Sequence, residues 1–331
     1  MIDLHLHLDG SLSEEDFIFL AKKQHFDLGK EFPKNIYVPE DCPSLEDYLT
    51  RFDLPLALLQ TPDALQYATK SLVKRLADLG FIYAEIRYAP LLHMQKGMSQ
   101  LDAAKAALKG LEDGLKENKD FDANLILCCM RHADEATNME TIEVANILKN
   151  TKVVAVDLAG AEAMHPCSYY SNIFNKAVSY GLNITIHGGE ATGSDEIMMA
   201  IDNGAKRIGH GVHLSLDNES INKVKENDIC FEFCPLSNLQ TKSLKTFTNV
   251  PLREFMKNNI AVTINSDNMT VSNTTAINEM KTMVKTFSLS KDNVKMLLMT
   301  SIKYSFTSND VKEQLYQKLN DKFETYWNQI N

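Results

Sequence analysis

Short apolar or β-branched runs recur along the chain and alternate with longer segments whose apolar residues follow helical spacing. The apolar runs predict eight strands, at residues 2–7, 82–88, 124–130, 152–158, 182–187, 206–210, 229–233 and 260–266. Leucine and alanine at three- and four-residue intervals predict amphipathic helical segments over 44–79 and 101–117. Gly80, Gly181 and Gly204 follow helical segments at the position where helices commonly end.

Eight alternating strand and helix units in 331 residues favour a (β/α)8 TIM barrel. The alternative, an open doubly wound sheet, normally has a glycine-rich phosphate-binding turn after its first strand. His and Asp stand at that point here, so the barrel is the better prediction. No repeat or linker divides the chain, and we expect one barrel domain over residues 1–331. Residues 25–62 carry five of the nine prolines, which predicts a long excursion after the first strand.

Composition narrows the classes of partner. The 34 basic and 44 acidic side chains leave a net charge of −10, and no basic stripe is present, which argues against a nucleic-acid binder. We therefore expect a small uncharged or cationic ligand. The start of the chain, MIDLHLHLDG, lacks the features of a signal peptide, and no apolar run is long enough to span a membrane. Six cysteines without CxxC spacing indicate free thiols and a cytoplasmic location, whereas nothing indicates the oligomeric state.

Candidate chemistry concentrates at the predicted strand ends. In a TIM barrel, functional side chains lie at the carboxyl ends of the strands, which all meet at one rim. The first strand ends in His5-Leu6-His7, the fifth in His187-Gly188-Gly189-Glu190, the sixth in Gly209-His210-Gly211, and the eighth runs into Asp267. We expect these side chains to face one another across the rim.

Four of these residues form a candidate metal site. His5 and His7 alternate along a strand, so they face the same side with Cα atoms roughly 6–7 Å apart. An HxH strand alone is weak evidence, but His187 and Asp267 at other strand ends complete a set of three imidazoles and one carboxylate. That set is typical of Zn²⁺ with one open position for water. The fourth strand ends in VDLAG without the bridging lysine of binuclear sites, so we predict one ion.

Two further residues are candidates for proton transfer. Glu190 follows His187 after two glycines, close enough to serve as a general acid, and His210 lies between two glycines where it can orient or deprotonate a water. The remaining histidines we set aside as ordinary rim, surface or outward-facing residues: His25, His93, His132, His165 and His213.

Together these motifs resemble the adenosine/AMP deaminase family of metal-dependent hydrolases. The matching stretches span nearly the whole chain: HLHLDGS at 5–11, YAEIRYAP at 83–90, VDLAGAE at 156–162, HGGE at 187–190, GHGV at 209–212, FEFCPLSN at 231–238 and NSDN at 265–268. The resemblance implies a TIM barrel that hydrolyses a purine nucleoside, and it implies Zn²⁺ ligation by His5, His7, His187 and Asp267.

The resemblance also implies individual roles. A zinc-bound hydroxide attacks purine C6, Glu190 protonates N1, His210 orients or deprotonates the water, and adenosine or deoxyadenosine gives inosine or deoxyinosine and ammonia. The substrate contacts implied are those of His7, Asp9 to a ribose hydroxyl, Gly160 to N3 and Asn268 to N7. Asn268 departs from the aspartate usual in the family, and its amide can donate to N7 without being protonated first.

Three alternatives stay open at this point. The substrate can be another 6-aminopurine, such as adenine or a 5′-modified adenosine, because Asn268 leaves the purine in doubt. The chain can be a metal-binding barrel without deaminase activity, although Glu190 and His210 argue against that. It can also be a mononuclear amidohydrolase that opens a cyclic amide or ester.

Overall fold

A single parallel sheet organises the molecule. The structure is a computed structural model that describes residues 1–40 and 42–331, so Asp41, inside the predicted excursion, lies outside the described residues. Eight parallel strands neighbour one another in chain order. They are β1 (Ile2–His7), β2 (Tyr83–Tyr88), β3 (Asp122–Met130), β4 (Val153–Ala159), β5 (Asn183–Gly188), β6 (Arg207–His210), β7 (Cys230–Phe233) and β8 (Ala261–Ile264).

The sheet closes on itself where the chain beyond β8 meets β1. The backbone N–H of Asp267 donates to the His5 carbonyl at 2.9 Å, and the N–H of His7 donates to the Asp267 carbonyl at 2.7 Å. At this seam, where β1 meets the end of β8 and the residues after it, the Asn265 side-chain oxygen also accepts from the Leu4 N–H at 2.9 Å. The (β/α)8 barrel predicted from the alternation of elements is therefore confirmed.

Helices follow the strands and cover the outside of the barrel. In chain order they are α1 (Glu14–Gln24), α2 (Leu45–Leu49), α3 (Asp53–Leu58), α4 (Pro62–Asp78), α5 (Gln100–Glu117), α6 (Glu135–Leu148), α7 (Ser171–Ser179), α8 (Ser194–Asp202), α9 (Asn218–Glu226), α10 (Pro235–Gln240), α11 (Leu252–Lys257), α12 (Ala276–Phe287), α13 (Lys291–Tyr304) and α14 (Asn309–Ile330). Among the described residues, no helix combines the length and the apolar character needed to cross a bilayer.

Side chains alternate along the strands, so one set packs into the apolar core with the helices and the other set lies inside the barrel. Ile86 and Phe231 belong to the continuous apolar core of buried strand and helix residues. Their neighbours Glu85, Arg87 and Glu232 are equally buried, at 0% exposure. Because successive strand residues point to opposite faces of a sheet, these charged side chains lie inside the barrel. The barrel interior is thus ionic in part, directly below the rim.

The strand predictions are confirmed to within two residues at each end, and the helix predicted over 101–117 corresponds to α5. The single helical segment predicted over 44–79 is wrong, because the structure divides it into α2, a one-turn 3-10 helix, α3 and α4. Pro62 starts α4 at its first turn, where a proline lacks only an N–H that would have no helical partner. The short helices before it do not surround the barrel but lie over its rim.

Candidate active site

A cavity of about 380 Å³ opens at the carboxyl ends of the strands. Its polar wall contains His7, Asp9, Gly160, His187, Glu190, His210, Asp267 and Asn268. These are the candidate residues of the sequence analysis with one exception, His5, which is fully buried beneath the cavity. The volume lies at the small end of the range for pockets that enclose a small molecule.

The three histidines and Asp267 form one cluster. The rings of His5 and His187 are 4.5 Å apart and those of His5 and His7 are 5.4 Å apart, centroid to centroid. The Nε2 atoms of His7 and His187 are separated by 3.3 Å. Oδ1 of Asp267 lies 3.5 Å from His5 Nε2 and 3.4 Å from His7 Nε2. β1, β5, β6 and the segment after β8 thus bring potential ligands together in two overlapping groups, within each of which the ligand atoms lie within 4.8 Å of one another: His5, His7 and His187, and His5, His210 and Asp267.

Hydrogen bonds behind the cluster determine which ring nitrogens face it. His5 Nδ1 donates to Glu232 Oε2 at 2.8 Å, and His187 Nδ1 donates to Asp157 at 3.0 Å. A carboxylate accepts only, so each Nδ1 is the donor, and in the neutral tautomer of each ring the Nε2 lone pair faces the cluster. Among the described residues, His5 Nε2 is buried without a hydrogen-bond partner. Converging imidazole lone pairs beside a carboxylate fit a metal ion.

Arg87 connects the two carboxylates that hold the histidines. Its Nη1 donates to Asp157 at 2.9 Å, its Nη2 donates to Glu232 at 2.8 Å, and all three residues are completely buried. Burial alone raises the pKa of Asp157, but nearby His187 and Arg87 outweigh it and hold that pKa well below the usual range. Burial likewise raises the pKa of Glu232, and Arg87 and Arg207 reverse the effect. Both carboxylates therefore remain charged acceptors.

Arg87, Asp157 and Glu232 were not predicted from the sequence to take part in the site. A signal for them is present, since each is a charged residue inside a largely apolar strand segment: YAEIRY, which also contains Glu85, VVAVDLA and CFEF. Charged side chains in strands buried on both faces need partners inside the barrel. That observation would have predicted the ionic layer below the rim.

Burial shapes the protonation of the cavity residues. The pKa of His7 is well below its ordinary value because burial disfavours the imidazolium, and this effect exceeds the attraction of Asp267. A neutral imidazole is the form that binds a metal. Burial also raises the pKa of Asp9 to about 6, against the opposing effect of two backbone hydrogen bonds.

Glu190 and His210 lie side by side near the cluster. Glu190 is 7% exposed, accepts from the Thr241 hydroxyl at 3.2 Å, and lies 3.7 Å from His210 Nε2. The other ring nitrogen of His210 is 3.1 Å from the amide nitrogen of Asn238. Both His210 and Asp267 have left-handed backbone conformations, with φ of 62° and 61°. Such conformations are costly outside glycine and persist where surrounding contacts impose them, often at functional sites.

Asp9, Gly160 and Asn268 face the cavity from three strand ends. Gly160 has φ of 106°, a conformation that strongly favours glycine. The Asn268 amide donates to the Tyr48 hydroxyl at 2.9 Å, which in turn is 2.7 Å from the Ser272 hydroxyl. Tyr48 belongs to α2, and its contact with Asn268 was not predicted, because local sequence does not show which residue of an excursion meets a given residue of the rim.

Apolar side chains of the excursion cover the remaining wall: Leu45, Leu49, Phe52 and Leu56, joined by Leu92. Two histidines set aside in the sequence analysis lie in or near the site. His132 lines the cavity, and His93 is fully buried with its Nδ1 at 2.9 Å from the Leu59 carbonyl. The cavity therefore has one polar and one apolar wall, as expected for a ring-shaped ligand with polar edges.

A barrel with a histidine and aspartate cluster at its carboxyl rim is typical of metal-dependent barrel hydrolases. The chain belongs to the adenosine deaminase family, whose sequence model matches residues 1–322. Adenosine deaminase from Haemophilus ducreyi is 45% identical, with 98% of this chain and 96% of that protein covered. Adenosine deaminase from Clostridium perfringens is 38% identical, with coverages of 95% and 96%. The Arabidopsis N6-mAMP deaminase structure superimposes with a TM-score of 0.84 at 26% identity, covering 97% of each chain.

Proposed function

We propose that the protein hydrolyses adenosine, and also 2′-deoxyadenosine, to the corresponding inosine and ammonia. The observation that carries the proposal is the juxtaposition of the histidine and aspartate cluster with the separate, buried carboxyl group of Glu190 in one small cavity. Membership of the adenosine deaminase family supports the choice of reaction. The partner is a small, neutral nucleoside, and the six buried, free cysteines support a cytoplasmic location.

We propose that His5, His7, His187 and Asp267 hold one Zn²⁺ ion. Three neutral nitrogen donors and one carboxylate suit this borderline ion better than Mg²⁺ or Ca²⁺, which prefer oxygen ligands. When bound, such an ion acidifies a water and so makes a nucleophile available near neutral pH. Asp157, Glu232 and Arg87 keep the donor nitrogens aimed at it.

The chain's own residues perform the proton transfers. Glu190 donates a proton to purine N1, which withdraws electrons from C6 and makes that carbon electrophilic. His210 orients the attacking water and accepts a proton from it. A C6–O bond forms and the C6–N6 bond breaks. The amino group leaves as ammonia with the proton that His210 took from the water, and the proton of the C6 hydroxyl returns to Glu190 as the carbonyl forms.

Three contacts orient the purine nucleoside on this proposal. The Gly160 backbone meets N3, the Asn268 amide donates to N7, and Asp9 contacts a ribose hydroxyl. The apolar wall from Leu45 to Leu56 covers the ring and excludes bulk water, which strengthens each polar contact.

The proposal is tested by following the absorbance change from adenosine to inosine with purified protein, before and after chelation and after addition of Zn²⁺. We expect turnover that chelation abolishes and Zn²⁺ restores. Glu190→Gln should lower kcat on the order of 100-fold or more without lowering zinc content, since it removes an acid and not a ligand. Deoxyadenosine, adenine and 5′-modified adenosines serve as parallel substrates. Absence of turnover with adenosine and deoxyadenosine by zinc-loaded protein contradicts the proposal.

A further inference from the structure

Glu162, in the loop after β4, binds the loop that carries Glu190 through four hydrogen bonds. Its Oε1 accepts from the Gly189 N–H at 2.6 Å and from the Thr192 hydroxyl at 2.6 Å. Its Oε2 accepts from the N–H groups of Glu190 at 2.9 Å and Ala191 at 2.7 Å. Each carboxylate oxygen thus has two donors, and all four donors come from residues 189–192.

This arrangement is buried and built from neutral donors. Glu162 is 3% exposed, and a buried carboxylate is tolerated only where hydrogen bonds replace its water. Three successive backbone N–H groups that point at one anion form the concave arrangement called a nest. Hydrogen bonds to a charged acceptor are about twice as strong as neutral ones. Glu162 therefore determines the path of the loop that it binds.

Gly189 allows the loop to follow that path. Its φ of 68° lies in the left-handed region, and a Cβ atom there would lie 2.5 Å from Ile197 Cδ1. With no side chain, the backbone turns so that three consecutive N–H groups reach Glu162. The turn places Glu190 directly after the glycine, with its side chain in the cavity.

Few other contacts orient the Glu190 carboxyl group. Among the residues that the structure describes, one donor bonds it, the Thr241 hydroxyl at 3.2 Å, and its other oxygen is 3.7 Å from His210 Nε2, beyond hydrogen-bond distance. The direction of the side chain consequently depends on the backbone of residues 189–191. An acid that must meet a ring nitrogen loses rate on the order of 100-fold for about 1 Å of displacement.

We infer that Glu162 is a positioning residue that acts through Glu190, by holding the 189–192 loop so that the Glu190 carboxyl group meets the substrate ring. The inference rests on the proposed function of Glu190 as proton donor. It also predicts that glutamine, the neutral isostere of glutamate, cannot replace Glu162 in this role. Glutamine has one acceptor oxygen, so its NH₂ group would face two donors in either orientation.

A double-mutant cycle tests the inference in the zinc-loaded full chain. Glu162→Gln should lower kcat about 10- to 100-fold at unchanged zinc content. In the Glu190→Gln background the same change should lower kcat by less than about twofold, because a residue that acts through Glu190 has nothing left to position. Equal losses of kcat in both backgrounds, or no loss in either, overturn the inference. A rise in KM in both backgrounds with kcat unchanged also overturns it, and assigns Glu162 to the neighbouring Gly160 contact instead.

Amide hydrogen exchange provides a readout independent of activity. The N–H groups of residues 189–191 should exchange at least about tenfold faster in Glu162→Gln than in the wild-type chain. Thr192→Val, which removes one of the four donors, should have a smaller effect in the same direction. Glu279→Gln is the matched control and should leave these exchange rates unchanged. Glu279 is equally buried and also accepts from a backbone N–H, that of Leu236 at 3.0 Å, and from a threonine hydroxyl, that of Thr274 at 2.6 Å, but it bonds none of residues 189–192.

The two proposals fail separately. If the wild-type chain does not deaminate adenosine, the proposed function fails, and the exchange rates of residues 189–191 still decide whether Glu162 holds the loop. If the chain is active but Glu162→Gln leaves kcat and these exchange rates unchanged, the positioning role is refuted and the proposed function stands.

Discussion

At the residue scale, the polar side chains that line the cavity are held in place by hydrogen bonds to residues behind them. Asn268 is an example. Its amide nitrogen donates to the Tyr48 hydroxyl at 2.9 Å, which leaves the second N–H of the NH₂ group for a ligand. Tyr48 is only 2% exposed and is itself 2.7 Å from the Ser272 hydroxyl. The chain from Ser272 to Asn268 therefore fixes the donor that we assign to purine N7.

Replacing Asn268 tests this contact. Asn268→Ala should lower kcat/KM for adenosine about tenfold, because one hydrogen bond to a buried acceptor contributes about 1 to 2 kcal/mol. Tyr48→Phe should have a smaller effect, since the amide stays but loses its anchor. The control is inhibition by 7-deazaadenosine, which has no N7 acceptor. Its inhibition constant should change less than about twofold in Asn268→Ala, and an equal loss for both ligands would refute the N7 contact.

At the scale of single elements, the strands were predictable and the path of the excursion was not. A strand such as β1 or β5 is a short, largely apolar run with a histidine at or next to its last residue, and its boundaries depend on local sequence. The segment over 44–79 has a helical pattern throughout, but its path over the rim depends on contacts with distant residues such as Ser272. Local periodicity contains no information about those contacts.

In the candidate site too, some residues were predictable from the sequence and others were not. Its histidines and acids were predictable because barrel topology brings the strand ends together whatever the intervening sequence. Glu162 was not predictable as a partner of residues 189–192, because hydrogen bonds between two loops depend on backbone directions that no motif encodes. Arg87 was predictable in principle, as a charge inside a buried strand.

Arg87 joins β2 to β4 and β7, and the metal site should depend on that connection. Arg87→Lys keeps the charge but replaces a planar fork by a single ammonium group, which cannot bond Asp157 and Glu232 in the same way. We expect zinc affinity, measured by competition with a chelator, to fall about 10- to 100-fold, the usual cost of disturbing residues that orient metal ligands.

Arg207→Lys is the matched control for Arg87→Lys. Arg207 is equally buried and also binds Glu232, but through Oε1, whereas His5 uses Oε2. Its replacement should destabilise the fold to a similar degree with a smaller change in zinc affinity. Equal losses of affinity in both variants would mean that the ionic layer supports the barrel in general and not the metal ligands in particular.

Glu279, on α12, should make stability depend on pH. It is 2% exposed, and burial raises its pKa to about 7, although the Thr274 hydroxyl and the Leu236 N–H both donate to it. The folded chain then holds this proton more tightly than the unfolded chain, whose carboxyl has a pKa near 4.5. The contribution of Glu279 to stability is complete below pH 4.5 and is lost as pH rises toward 7.

Glu279→Gln removes this titration and keeps the shape, with the amide oxygen able to accept from Leu236 and the NH₂ group able to donate to Thr274. Between pH 5 and pH 8, the free energy of unfolding of the wild-type chain should fall relative to that of the variant by about 2 kcal/mol. Denaturant unfolding at both pH values measures the difference. A constant difference between wild type and variant would show that Glu279 is ionised throughout.

At the scale of the whole molecule, the potential metal ligands come from the beginning, the middle and the last strand region of the chain. His5 and His7 lie on the first strand, His187 on the fifth, and Asp267 follows the last, where its backbone also closes the barrel against β1. An ion bound to all four would therefore connect β1, β5 and the β8 seam. Binding to the folded chain alone stabilises it by an amount that grows with ligand concentration over Kd.

Metal removal should consequently lower the stability of the barrel as a whole. We expect chelation to lower the thermal midpoint, and added Zn²⁺ to restore it, with a free-energy difference of about 4 kcal/mol when free zinc is on the order of 1,000-fold above Kd. His187→Ala, which removes a ligand from the fifth strand, should reduce this response sharply. Glu190→Gln, which removes the proposed acid and no ligand, should retain it in full. A response to Zn²⁺ that is equally large in His187→Ala would mean that the stabilising ion binds elsewhere.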